Sequence, residues 1–175
     1  MSAVFVEGGP DDGAIWHLGD PVKEQRALEA GKAFANLGHL PSVAITGTDR
    51  LTWIHSLCTQ DVEHLPAGEW KSGYILDPQG HIEFPLLLID DGTTLFIFTE
   101  IATLQPLITF LEKMKFMMRV DIRDASNEVA LFRAPGMSDA IGGPYALVPR
   151  SEIHTMKANF ALGAQEIGTW ARGWT

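Results

Sequence analysis

Acidic side chains crowd one stretch of this chain: Asp61 and Glu63, then Asp77, Glu83, Asp90 and Asp91. Grouped carboxylates of this kind could form an acidic active site. Local sequence gives several of them a simpler purpose. Asp77 opens Asp77-Pro78-Gln79-Gly80, which fits a type I turn with Asp first, Pro second and Gly fourth, and Asp91 precedes Gly92 in another tight turn. Asp49 puts negative charge at the start of a helix. Asp61 is different. It follows Thr59-Gln60 at the end of that helix, where negative charge opposes the macrodipole, so it has the least structural reason to be there.

Other chemistry lacks support. No P-loop, Rossmann glycine signature, HExxH, GxSxG or paired CxxC is present. The six histidines, His17, His39, His55, His64, His81 and His154, form no close pair at metal-ligand spacing, so no metal site is expected. The single cysteine, Cys58, excludes an internal disulfide; on the apolar side of a helix it reads as a buried, unreactive thiol.

The elements that must position these groups are readable from periodicity. Val4-Phe5-Val6 and Ala14-Ile15-Trp16-His17-Leu18 flank a Gly/Pro/Asp-rich turn and can pair as short strands. A helix is expected from Val22 to Leu37, entered through Asp20-Pro21 and ended by Gly38, with Gly31 weakening its middle. Ser42 to Thr46 is a β-branched strand. Thr48 caps the next helix, in which Leu51, Ile54, Leu57 and Cys58 share a face. Trp70 to Leu76 and His81 to Ile89 form a hairpin, with a bulge or unpaired edge expected at Pro85 because its ring removes a ladder donor. Thr94 to Thr99 is a strand, Ile101 to Lys115 a helix and Arg119 to Arg123 a strand.

Residues 42–124 thus read strand, helix, strand, strand, strand, helix, strand. That is an α+β fold of ferredoxin-like pattern, an antiparallel sheet with helices on one face. The tail begins a second round: strand Val129 to Ala134, a small helix after Ser138, strand Tyr145 to Val148 and a helix near Ser151. The expected organisation is an N-terminal hairpin and helix (1–41) packing on a ferredoxin-like half (42–124), with part of a second half (125–175).

Composition narrows the function. With 175 residues, 46% hydrophobic and 20% charged, the chain suits one sizeable core. The net charge of −9 opposes phosphate tracking, so any link to nucleic acid is expected to be indirect. No apolar run approaches the roughly 20 residues of a membrane span, and the first residues lack a basic leader. A cytoplasmic protein is expected.

Three quoted segments carry a family resemblance. Val43-x-Ile45-x-Gly47-x-Asp49-Arg50, then Trp53-Ile54-His55-x-Leu57-x-Thr59-Gln60-Asp61-Val62-x-x-Leu65-x-x-Gly68, then Leu76-Asp77-x-x-Gly80-x-Ile82 resemble the N-terminal half of the glycine-cleavage T-protein (aminomethyltransferase) superfamily. Within it the chain is most similar to the YgfZ-type folate-binding proteins in their actinobacterial form. The resemblance implies a folate-binding domain of two ferredoxin-like halves. In T-protein members an aspartate on the strand after the hairpin turn serves aminomethyl transfer to tetrahydrofolate. Here Gly80-His81-Ile82-Glu83-Phe84-Pro85 puts Phe84 at that position, and a benzyl group cannot accept a proton.

The resemblance therefore implies a non-catalytic folate-binding module that supports iron–sulfur enzymes and, through them, tRNA modification. Its cofactor is expected to be tetrahydrofolate or a derivative, and its partners folate and iron–sulfur enzymes. Gln60, Asp61, Tyr74 and Glu83 are the expected cofactor-binding residues. The Lys-Gly-Cys-Tyr-x-Gly-Gln-Glu signature of the YgfZ type is absent, so the chain looks like the N-terminal portion of such a protein. Two alternatives stand beside this reading. One is residual one-carbon transfer of T-protein type through Glu83 or Asp61. The other is a truncated structural domain that pairs with a second copy through apolar surface around Trp170 and Trp174.

Overall fold

The computed structural model describes residues 2–9, 11–134, 145–161 and 163–169. In chain order it forms β1 (Val4–Phe5), β2 (Ile15–His17), α1 (Pro21–Glu29), β3 (Ala33–Asn36), β4 (Ser42–Thr46) and α2 (Arg50–Leu57). Then come β5 (Trp70–Leu76), β6 (Ile82–Asp90), β7 (Thr94–Phe98), α3 (Leu104–Met114) and β8 (Asp121–Asp124). The chain continues through β9 (Val129–Arg133), β10 (Tyr145–Pro149), α4 (Ile153–Ala161) and β11 (Gln165–Ile167). It divides into two compact units, residues 41–126 and residues 1–40 with 127–175.

The 41–126 unit has the expected order of elements. Its five strands lie β5-β6-β7-β4-β8, every neighbouring pair antiparallel. Alternation sends Val43, Ile45, Ile75, Phe84, Leu86, Leu88, Leu95 and Ile97 to one face, where they pack with Trp53 and Ile54 of α2 and Leu107 and Leu111 of α3. Burying that many large apolar side chains, at about 1.5–3 kcal/mol each, is the main stabilising term of the unit. The fold is α+β with antiparallel pairing, as its alternating and helical periods require.

Inside this unit one local expectation is corrected and another is met in part. Thr48 does not cap α2: Asp49 occupies the N-cap position, and Thr48 instead donates its hydroxyl to the Asp49 carboxylate. At Pro85 the unpaired edge is present, because the β6–β7 ladder begins only at Leu87, but the bulge is not there. Pro85 pairs in register with Tyr74, while the ladder skips Glu83 between the pairs Ile75–Phe84 and Leu76–Ile82. The extra residue sits near the turn because the Asp77–Gly80 reverse turn closes with Asp77 N–H donating to the His81 carbonyl, and strand pairing must be regained beyond it.

The second unit holds a four-stranded sheet in the order β10-β9-β3-β11. The β9–β10 and β3–β9 pairs are antiparallel, and β11 runs parallel to β3. Its core joins Phe34, Ala130, Phe132, Ala134 and Val148 with Ile153 and Met156 of the α4 segment. The expected helix from Val22 to Leu37 is replaced by α1 and β3. Asp20 caps α1, accepting from Lys23 N–H at 3.1 Å. At the other end Gly31 N–H donates to the Leu28 carbonyl and Lys32 N–H to the Ala27 carbonyl. With Gly31 at φ +67° this is a Schellman stop, so the glycine ends the helix rather than weakening its middle. The small helix expected after Ser138 and the two tryptophans Trp170 and Trp174 lie outside the described residues.

A buried ion pair fastens α2 to the sheet. Arg50 donates to both oxygens of Asp90, at 2.6 and 2.8 Å, and the Asp90 side chain is only 2% exposed. Removing one partner leaves the other charged and dry. Asp90→Ala and Arg50→Met are each expected to cost about 3–5 kcal/mol, read as a lowered urea midpoint with an unchanged slope. A change within experimental error would show that the pair contributes nothing net.

Candidate functional site

The end of α2 is attached to the edge strand β5 by two backbone-level contacts. Thr59 N–H donates to the Tyr74 carbonyl at 2.9 Å, and the Thr59 hydroxyl accepts from Tyr74 N–H at 3.0 Å. This places Gln60 over the strand. A Cβ at residue 73 would lie 2.9 Å from the Gln60 Cγ, so Gly73 is where the strand makes room for that side chain. Gly73 shares its face of β5 with the core residue Ile75, so the Gln60 side chain lies on the opposite face of the strand from the Tyr74 ring, and the structure does not bring these two expected ligand residues onto one surface.

Tyr74 belongs to a small apolar stripe. It stands opposite Pro85, and Leu76 stands opposite Ile82, on the face of the hairpin away from the helix-packed core. Tyr74 is 44% exposed, Leu76 40% and Ile82 58%. Glu83, at the skipped ladder position, is exposed beside this stripe. Together these side chains offer an exposed aromatic and apolar surface with the Glu83 carboxylate beside it. Such a set can stack a planar ring and accept from its N–H edge.

Asp61 keeps other company. Its Oδ1 lies 3.4 Å from His55 Nδ1 and 3.7 Å from His64 Nδ1. The six histidines looked scattered in sequence, but a helix end followed by a tight loop gathers two of them around one carboxylate. As the side chains stand, no group of three or more His, Cys, Asp or Glu among the described residues is arranged to hold a metal ion. The Cys58 thiol is half-buried, its pKa is pushed up by burial, and it donates to the Gln60 carbonyl at 3.4 Å. It is therefore a poor nucleophile, as expected.

Phe84 is 4% exposed and packs on Phe110 of α3 with ring centroids 5.5 Å apart. The position is core, with no proton-transfer group of its own. The remaining carboxylates of the stretch are architectural. Asp77 accepts from Gln79 and His81 N–H, and the His81 contacts are the chief reason its pKa is lowered. Asp91 accepts from Thr93 and Thr94 N–H; burial pushes its pKa up, but those bonds more than offset it. Asp90, which sequence reasoning passed over beside Asp91, is the buried partner of Arg50.

Among the described residues of the other unit, two clefts stand out. One of about 200 Å³ is lined by Leu18, Asp20, Lys23, Glu24, Gln165 and Glu166. The second, of about 180 Å³, is lined by Asn36, His39, Glu166 and their apolar neighbours, with Asp11 and His39 joined at 2.8 Å. Nothing in the local sequence marks Glu166, because β11 meets β3 from more than a hundred residues away. Each cleft is smaller than the roughly 300 Å³ at which pockets begin to enclose drug-sized ligands.

Asp49 is held by Arg119, which donates from its side chain at 2.6 and 3.0 Å and from its backbone at 2.9 Å. The guanidinium bonds are the largest cause of a carboxyl pKa lowered from 3.8 to about 2. A carboxyl depressed on folding contributes stability that is complete above its unfolded pKa and is lost as pH falls through the folded one. Wild-type protein is therefore expected to lose urea resistance between pH of about 4 and about 2. Asp49→Asn should be less stable at neutral pH and lose less over that window. Parallel slopes for the two proteins would remove Asp49 from the acid response.

No family model matches the chain. A chloroplastic protein of Arabidopsis thaliana, described provisionally as a transferase, is 24% identical over 179 residues, covering 94% of this chain and 41% of its own length. The crystal structure of the glycine cleavage system aminomethyltransferase T from Bartonella henselae superposes with a TM-score of 0.78 at 14% identity, covering 97% of this chain and 57% of that one. The chain thus has an aminomethyltransferase-like fold and spans about half the length of the proteins it matches. No helix among the described residues is long and apolar enough to cross a membrane.

Proposed function

We propose that the chain is a folate-binding module of the non-catalytic YgfZ type, serving iron–sulfur enzyme maintenance and, through it, tRNA modification. The observation that carries the non-catalytic form is Phe84. Where the T-protein resemblance implies an aspartate, this chain buries a benzyl side chain against Phe110. An apolar side chain in an apolar niche can neither accept a proton nor stabilise a developing ammonium. The likeness of fold to an aminomethyltransferase supports the choice of folate as ligand class.

The residues fit that ligand's chemistry. The pterin of a folate is flat and carries N–H donors along one edge. Tyr74 with Pro85, Leu76 and Ile82 supplies a surface for the ring and Glu83 an acceptor for its N–H edge, while the Gln60 amide, on the other face of β5, would have to reach round the open edge of that strand to take part. When bound, tetrahydrofolate would supply one-carbon carriage; the protein groups would bind and orient it. Asp61 stands at the same helix end and is the fourth residue of the proposed set.

Titration calorimetry with tetrahydrofolate, on this chain and on a longer chain if its coding sequence continues, is expected to show binding. Tyr74→Ala and Gln60→Ala should weaken it about tenfold each, the loss of one stacking or one hydrogen-bonding partner. Absence of binding heat in every form would overturn the reading. Phe84→Asp tests the non-catalytic form: it should destabilise the fold by about 4 kcal/mol, as a buried carboxylate replaces a packed ring, without producing aminomethyl transfer. Folate-dependent turnover by the unaltered chain would instead favour a T-protein-type transferase.

A further inference from the structure

We propose that the turn between α3 and β8 is a site of reversible methionine oxidation, with Met117 as its first target. The run Met114-Lys115-Phe116-Met117-Met118 holds three of the chain's six methionines. Phe116 is 92% exposed and Met117 86%, the two most exposed large apolar side chains among the described residues, and Met114 and Met118 stand at 44% and 41%. Met156 on α4, by contrast, packs against the core that Phe34 and Phe132 build.

The backbone keeps these side chains from folding back onto the sheet. Met118 N–H donates to the Lys115 carbonyl at 2.9 Å, a reverse turn with Phe116 and Met117 at its two central positions. Phe116 sits at φ +44°, left-handed backbone that a bulky side chain adopts only where its surroundings impose it. Both ends of the turn are tied. On one side the indole N–H of the buried Trp53 donates to the Met114 carbonyl at 3.3 Å. On the other, the Arg119 backbone N–H and guanidinium both donate to Asp49, and the chain is pressed so close to Gly47 that a Cβ there would collide with the Arg119 carbonyl. A turn pinned in this way holds its thioethers outward.

An exposed thioether is a soft nucleophile toward hydrogen peroxide. The Met117 sulfur attacks one peroxide oxygen, so that the S–O bond forms as the O–O bond breaks. The departing hydroxide gains a proton and the hydroxyl on sulfur loses one, which leaves sulfoxide and water. Sulfur gives up two electrons and peroxide takes them. No protein group has to assist, so the rate follows access. The product is polar where the side chain was apolar, yet none of the three methionines belongs to the core of the 41–126 unit. Oxidation therefore changes the surface of the turn and leaves the packing beneath it alone. Methionine sulfoxide reductases can reach a sulfoxide so placed and reverse the change.

The test is exposure of the untagged full chain to hydrogen peroxide at neutral pH, followed by peptide mass mapping and urea unfolding. Among the methionines of the described residues, Met117 is expected to gain oxygen first, at about twice the rate of Met114 and Met118, with Met156 slowest. Protein oxidised at Met117 should keep its urea midpoint. Met117→Leu should keep it too, while losing the earliest oxidised product. The two reductases specific for the sulfoxide epimers should together restore the original mass. Oxidation of Met156 as fast as Met117, or a lowered midpoint once Met117 is oxidised, would overturn the site. A sulfoxide that both reductases leave in place would overturn its reversibility.

Discussion

The geometry of the 41–126 unit depends on the Arg50–Asp90 pair. Arg50 is the first residue of α2, where a positive charge meets the positive end of the helix dipole. In isolation that is a poor choice. The buried carboxylate of Asp90 reverses the sign, taking two guanidinium bonds and also accepting from Gly92 N–H at 2.7 Å. The Asp90 carbonyl receives Gly68 N–H as well, so the start of α2, the β6–β7 turn and the loop before β5 meet at one residue. An eight-residue helix has little stability of its own. What holds it is this anchor at one end and Thr59 on β5 at the other.

Asp49, one residue earlier, makes the complementary connection. Its carboxylate reaches Arg119 at the entry to β8. The Asp49-Arg50 dipeptide therefore grips the two sides of the sheet in opposite directions with opposite charges. A glycine, an aspartate and an arginine in sequence look like a motif for chemistry. Here their work is mechanical. The distinction matters because the same carboxylate-rich stretch has one member, Asp61, that no such connection explains.

Local signals made the 41–126 unit legible: β-branched runs, the Asp-Pro-Gln-Gly turn and helical spacing on α3 all act over a few residues. The failures share a cause in distant partners. Gly31 looked like a flaw inside a helix because its role as a stop requires knowing that Ala33–Asn36 leaves to pair with β9 and β11. Asp90 was hidden by Asp91, whose turn chemistry is local, whereas Arg50 lies forty positions away. At the site, Thr59, a residue with no functional signal of its own, ties the end of α2 to the Tyr74 backbone and sets the Gln60 side chain against Gly73, on the face of β5 opposite the Tyr74 ring. Two histidines nine residues apart were discounted until the helix end curled them toward the same oxygen.

A fold shared at 14% identity constrains where the chain can place side chains, not which reaction they perform. The chemistry has to be read from what occupies each place. Phe84 puts an aromatic ring on the core face of β6, while Glu83, at the skipped ladder position, is an exposed carboxylate. The surface of Tyr74 and Glu83 is open to solvent, and any polar contact made on such a surface competes with water.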